Sequence, residues 1–178
     1  MNVPNKSICM APWSHAFLST KMERHLCCIA KPAHNMALNH LSTLENFWNG
    51  EYMRSVRLKM LGGETLSECQ VCNNSELGIR TYREAFNTLN PDLFKRINTI
   101  TAPDGSTAEL PSSFDYRVSN SCNFKCQMCG PEYSSAWETF LKQANRFDNQ
   151  SNSSEISEKK AKINEFKNTT AQEELSEA

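Results

Sequence analysis

The residues best suited to chemistry in this 178-residue chain are its eight cysteines. Cys122-Asn123-Phe124-Lys125-Cys126-Gln127-Met128-Cys129 packs three thiols into one loop at C-x3-C-x2-C spacing. Three soft thiolates can hold three irons of a cubane. A fully protein-ligated [4Fe-4S] cluster takes four cysteines, so such a loop leaves one iron open to a ligand that is not protein. Zinc sites favour C-x2-C pairs separated by a dozen or more residues, and the compact triad therefore points to iron–sulfur ahead of zinc.

The other five cysteines lie toward the N-terminus: Cys9, the pair Cys27-Cys28, Cys69 and Cys72. Cys69-x2-Cys72 by itself suits zinc equally well. Four thiolates taken together would saturate a [4Fe-4S] cluster and leave no open iron, which suits electron relay or structure. Neighbouring residues on a strand point to opposite faces, so one of Cys27 and Cys28 is expected to be a spectator.

These thiols need elements to carry them. Residues 13–18 and 24–29 are strand-like runs around a polar turn, which predicts a hairpin. A helix is expected from about residue 51 to 61, with Met53, Val56, Met60 and Leu61 on one face and Gly62-Gly63 as its stop. Another is expected over about 75–89, with Ile79, Tyr82, Phe86 and Leu89 sharing a face, and Pro91 separates it from a short helix through Leu93, Phe94 and Ile97. The Pro/Gly-bearing stretch 101–113 reads as a linker. Beyond it, 114–118 reads as a strand, and after the cysteine loop Pro131 opens a helix carrying Trp137, Phe140, Leu141 and Ala144. The chain thus divides into a module over 1–100, the linker, a strand–loop–helix unit over 114–147 and a polar tail over 148–178, helical or disordered.

The C-x3-C-x2-C loop after a strand, followed by Gly130-Pro131 and a helix, resembles the radical S-adenosylmethionine (SAM) enzymes. The resemblance implies that Cys122, Cys126 and Cys129 hold a [4Fe-4S] cluster whose open iron chelates SAM. Reductive cleavage would then give methionine and a 5′-deoxyadenosyl radical that abstracts hydrogen. The residue before the last cysteine, usually aromatic in the family and near the adenine, is Met128 here. Cys9 to Trp13, Cys27-Cys28, Phe47-Trp48-Asn49, the helix with Arg54 and Arg57, and Cys69-x2-Cys72 with Glu76 and Gly78 are similar as a set to the twitch or SPASM-like region of twitch domain-containing radical SAM proteins. That likeness implies an auxiliary [4Fe-4S] cluster on Cys9, Cys27, Cys69 and Cys72. The family hairpin has a glycine near position 22 and a proline before its cysteine, where this chain has Met22 and Leu26; counting from the hairpin favours Cys27, with Cys28 as the alternative. The implied fold class is an α+β cysteine-rich auxiliary-cluster module followed by the first βα unit of a radical SAM partial (β/α)6 barrel, with a polar C-terminal tail. Gly62-Gly63-Glu64 spells the triplet these enzymes use for the SAM amino group, but it lies upstream of the cysteine loop, so a helix C-cap is the better reading.

Nineteen Lys and Arg against twenty Asp and Glu give a net charge of −1, which argues against a nucleic-acid partner. The apolar runs fall far short of the ~20 residues that cross a bilayer. The first residues lead into nothing resembling a signal peptide. A cytoplasmic setting is therefore expected, where thiols stay reduced and open to metals. His15, His25, His34 and His40 show no spacing for a separate site, and Trp13, Phe17, Trp48 and Tyr52 read as packing around the auxiliary site. The expected partners are SAM, an electron donor such as flavodoxin or ferredoxin, and a peptide or small-molecule substrate, with no membrane. Six βα units at ~30 residues each need about 180 residues, and the stretch after Phe114 has room for one. The expectation is thus the N-terminal portion of a radical SAM enzyme. A non-enzymatic iron–sulfur electron-transfer protein and a zinc-binding interaction module are the alternatives.

Overall fold

The computed structural model describes residues 7–31, 42–74 and 81–143, together with Glu173. His34, His40, Ile79, Glu76, Gly78, Ala144 and, Glu173 apart, the expected tail lie outside the described residues. Among the described residues the architecture is small α+β with one three-stranded sheet, and the chain divides into two compact units: Met1–Phe17 with Arg24–Asp115, and Leu18–Glu23 with Tyr116–Ala178. Among the described residues, no helix is long and apolar enough to cross a membrane.

The first unit opens on a short helix, α1 (Ala11–Ser14), where a strand was expected from Trp13. Pro12 presets the helical φ at the first turn, and the Trp13 N–H and Ser14 hydroxyl both donate to the Met10 carbonyl, at 3.0 and 2.9 Å, curling the chain before it extends. The strands that follow are correspondingly short, β1 (His15–Leu18) and β2 (Arg24–His25). With β3 (Ser113–Tyr116) they form a sheet in the order β2-β1-β3. Leu26 to Ile29 are not a strand: the Ala30 N–H turns back to the Cys27 carbonyl at 3.2 Å.

After α2 (Leu44–Trp48), α3 (Glu51–Leu61) buries Met53, Val56, Arg57 and Met60 along one face. Each apolar side chain buried there contributes about 1.5–3 kcal/mol. The helix stops as its glycines require. Gly63 takes φ 83°, its N–H donates to the Met60 carbonyl, and the Glu64 N–H reaches back to Lys59, a Schellman closure. A 3-10 turn (Ser67–Cys69) leads into the single turn α4 (Gln70–Asn73).

Helix α5 (Tyr82–Leu89) starts later than the apolar spacing predicts, because Thr81 and Glu84 form a reciprocal capping box. Its inward face also differs. Tyr82 and Leu89 are exposed, while Phe86 packs against the core. Helix α6 (Pro91–Ile100) begins on its proline and buries Ile97, with Leu93, Phe94 and Ile100 packed against the same core.

Residues 101–112 carry an isolated antiparallel bridge between Thr101 and Thr107 and are closely bonded within the first unit. Asn49 accepts the Thr107 N–H and donates to its carbonyl, both at 3.0 Å, and the indole N–H groups of Trp13 and Trp48 donate to Thr101 Oγ1 and the Glu109 carbonyl, each at 2.8 Å.

In the second unit, the turn at Leu18–Glu23 closes through the Ser19 N–H on the Glu23 carbonyl at 3.0 Å, and Met22 adopts φ 58°. A glycine would suit that left-handed corner; this chain fills it with a methionine whose side chain is fully buried. The helix after the cysteine loop, α7 (Ser135–Gln143), begins four residues later than Pro131, since Ser134 stands before it with its hydroxyl accepting the Trp137 N–H at 3.4 Å.

Candidate metal centres

Four cysteines from three separate stretches of the first unit line one cavity: Cys9, Cys27, Cys69 and Cys72. The segment holding Cys9 is pinned from both sides by Asn87, whose side-chain amide accepts the Met10 N–H at 2.8 Å and donates to the Ile8 carbonyl at 3.0 Å. Cys27 sits in the turn that ends the hairpin, so strand alternation does not govern which cysteine of the pair faces inward. Cys27 lines the cavity and the half-exposed Cys28 is not part of that lining. The Lys31 N–H donates to the Glu68 carbonyl at 3.0 Å and ties this turn to the segment bearing Cys69. Cys72 follows one helical turn later, which brings both thiols of the C-x2-C pair to one side.

The depth of the four thiols is graded. Cys9 and Cys27 are 8% and 9% exposed, while Cys69 and Cys72 are half-buried beside the exposed Val71. Burial pushes the Cys9 and Cys27 thiols up to about 12. Cys69 is also raised by burial, but the Arg83 guanidinium opposes the rise through its charge and a hydrogen bond to the thiol. In the absence of a cation all three are neutral thiols at pH 7, and a metal is what would make thiolates there worthwhile. The cavity between them measures about 20 Å³, room for roughly one water. Among the described residues, no three His, Cys, Asp or Glu side chains are placed to clasp a single ion, so the thiols ring the space without closing on its centre.

The donor set fits a soft metal centre. Among the described residues its possible donors are four thiols and the carboxylate of Glu68, and a thiol-rich composition suits iron–sulfur or zinc and not a hard cation.

The second unit carries the other three cysteines in one loop. Cys122 is half-buried, and Cys126 and Cys129 are exposed. The loop is held from its two ends by the start of α7. Ser134 Oγ donates to the Phe124 carbonyl at 2.6 Å, Ser135 Oγ to the Cys122 carbonyl at 3.0 Å, and the Trp137 indole to the Cys126 carbonyl at 2.9 Å. Backbone bonds from Ala136 to Cys122 and from Cys129 to Cys126 complete the frame. Cys122 lines an open groove of about 840 Å³ with Phe124, Lys125 and Phe140, and the Lys125 ammonium stands 5.0 Å above the Phe140 ring. Met128 is 97% exposed.

Sequence reading missed Arg83 and Asn87. They are four apart on α5, hence on one helix face, but periodicity assigns only apolar residues to an inward face and gives no reason to place a charge and an amide there. Ser134 and Ser135 were missed likewise; their signal is a serine pair immediately before a helical run. No family model matches the chain, and no curated protein and no solved structure matches it either.

Proposed function

We propose that this protein is a radical SAM protein of the twitch or SPASM-like kind, with Cys122, Cys126 and Cys129 as ligands of a SAM-binding [4Fe-4S] cluster and Cys9, Cys27, Cys69 and Cys72 as ligands of an auxiliary one. The observation that carries the reading is the convergence of Cys9, Cys27, Cys69 and Cys72 on one cavity from positions far apart in the chain. When bound at the loop, a cluster of that kind supplies the electron that cleaves SAM to methionine and a 5′-deoxyadenosyl radical. The chain's own part is to present three thiols from a backbone fixed by Ser134, Ser135 and Trp137, and to leave Met128 exposed, where an adenine could lie against it. The cytoplasm, a flavodoxin- or ferredoxin-like donor and a peptide or small-molecule substrate belong to the same proposal.

Anaerobic reconstitution with iron and sulfide tests it. About eight irons per chain are expected for two cubanes, with a charge-transfer absorption that bleaches on reduction. The EPR signal of the reduced protein should change when SAM is added. About four irons and no response to SAM would favour a simple electron carrier instead. A zinc-binding module has one observation on its side, the water-sized cavity among the four N-terminal thiols; stoichiometric zinc with no visible absorption would establish it and end the radical SAM reading.

A further inference from the structure

Among the described residues, Arg83 is the one cationic side chain in the lining of the four-cysteine cavity. Its guanidinium is held in place: one arm donates to Asn73 Oδ1 at 2.6 Å, beside α4, and the side chain lines the cavity together with Cys69 and Cys72. Asn73 is held in turn by donating from Nδ2 to the Leu66 carbonyl at 3.1 Å. Arg83 therefore reaches the pocket from α5 with its donors aimed by the same segment that carries Cys69 and Cys72. Four thiolates around a cluster make a dianionic or more negative group, and hydrogen bonds to sulfur together with nearby charge are what set the potential of such a group.

We propose that Arg83 is the positioning residue of this pocket, its charge biasing a bound cluster toward its more negative, reduced state. This rests on reading the pocket as an iron–sulfur site. A guanidinium suits the task better than an ammonium, because one arm of its planar fork holds Asn73 while the delocalised charge stays at the pocket wall.

The test uses the full chain with Cys122, Cys126 and Cys129 all replaced by alanine, so that only the N-terminal site can take up iron. After anaerobic reconstitution, iron is counted and the reduction potential is followed by EPR in a mediated dithionite titration. Arg83→Gln should lower the potential, shifting the reduction equilibrium by about tenfold, or ~59 mV for one electron. Arg83→Lys, which keeps the charge and loses the fork, should fall between. An unchanged potential in Arg83→Gln with iron retained overturns the proposal and leaves the iron–sulfur reading standing. No iron in the parent background sinks both. If Arg83→Gln takes up no iron while Arg83→Lys does, the charge is what holds the anionic cluster, in support. If both variants lose iron with far-UV circular dichroism unchanged, Arg83 only braces the Asn73 segment and the electrostatic role is overturned.

Discussion

Asn87 brackets Cys9: one side-chain amide, one helix away in the fold, satisfies the backbone N–H after this cysteine and the carbonyl before it, at 2.8 and 3.0 Å. Alanine at position 87 orphans both half-buried groups, at a cost of about 1–3 kcal/mol. Asn87→Ala should lower the urea midpoint and the iron content of the N-terminal site together. Asn87→Asp keeps the acceptor and loses the donor, and its loss should be smaller. Equal stability in all three chains would show that the clamp holds nothing.

Cys27 and Cys28 are expected to separate cleanly. Only Cys27 lines the cavity, so Cys27→Ala should abolish iron uptake at the N-terminal site, while Cys28→Ala should leave it within error. Iron counts in the background lacking the three loop cysteines decide the point, and the reverse pattern would exchange the roles of the pair.

His15 gives the first unit an acid-sensitive stability. His15 Nδ1 lies 2.9 Å from Ser113 Oγ, whose hydroxyl also reaches the Ser14 carbonyl at 3.1 Å. The ring packs 4.9 Å from Phe86, and Nε2 is buried without a hydrogen-bond partner. Burial pushes the imidazole below its ordinary value near 6.5, against a smaller opposing pull from Asp115. As pH falls below 6.5 the unfolded chain takes up a proton that the folded one refuses, so stability contributed above that pH is lost on acidification, at no more than about 1.4 kcal/mol per pH unit. Urea unfolding of the metal-free chain at pH 8 and pH 5.5 should show the loss, and His15→Phe should flatten it.

Arg57 is a structural charge. Fully buried, it donates from Nε to the Pro12 carbonyl at 2.9 Å and from Nη1 to Asn49 Oδ1 and the Gly105 carbonyl at 3.1 and 3.2 Å, with its guanidinium 4.9 Å from the centre of the Trp48 ring. Arg57→Met should destabilise by about 3 kcal/mol by orphaning these acceptors, and Arg57→Lys should recover only part. Gly105 is constrained from the other side: at φ 85°, an added Cβ would stand 2.4 Å from the Arg54 carbonyl oxygen. Gly105→Ala should cost more than about 1 kcal/mol, read as a drop in melting temperature.

The helices α3 and α6 were legible because Met53, Val56 and Met60, or Leu93 and Ile97, repeat at the period of a helix buried on one side. The glycines after α3 likewise read as a stop, and not as a ligand-binding triplet. The hairpin was drawn too long, since Pro12 and the Ser14 hydroxyl favour a helical turn where hydropathy alone reads a strand, and the chain turns again at Cys27. The loop triad stood out because its three thiols are contiguous. What could not be read was the supporting set: Asn87 acts through bonds to residues 77 and 79 positions away and Arg83 through a bond to Asn73 across a turn, and no hydropathy pattern records either partner.

The wide spacing of Cys9, Cys27, Cys69 and Cys72 has a thermodynamic consequence. A group bound by all four acts as a cross-link among three stretches of chain, and removes from the unfolded ensemble the freedom of every loop it closes. By analogy with a disulfide closing a loop of comparable length, that restriction is of order 4 kcal/mol. Loading the pocket would thus stabilise the whole first unit, well beyond the turns that supply its thiols.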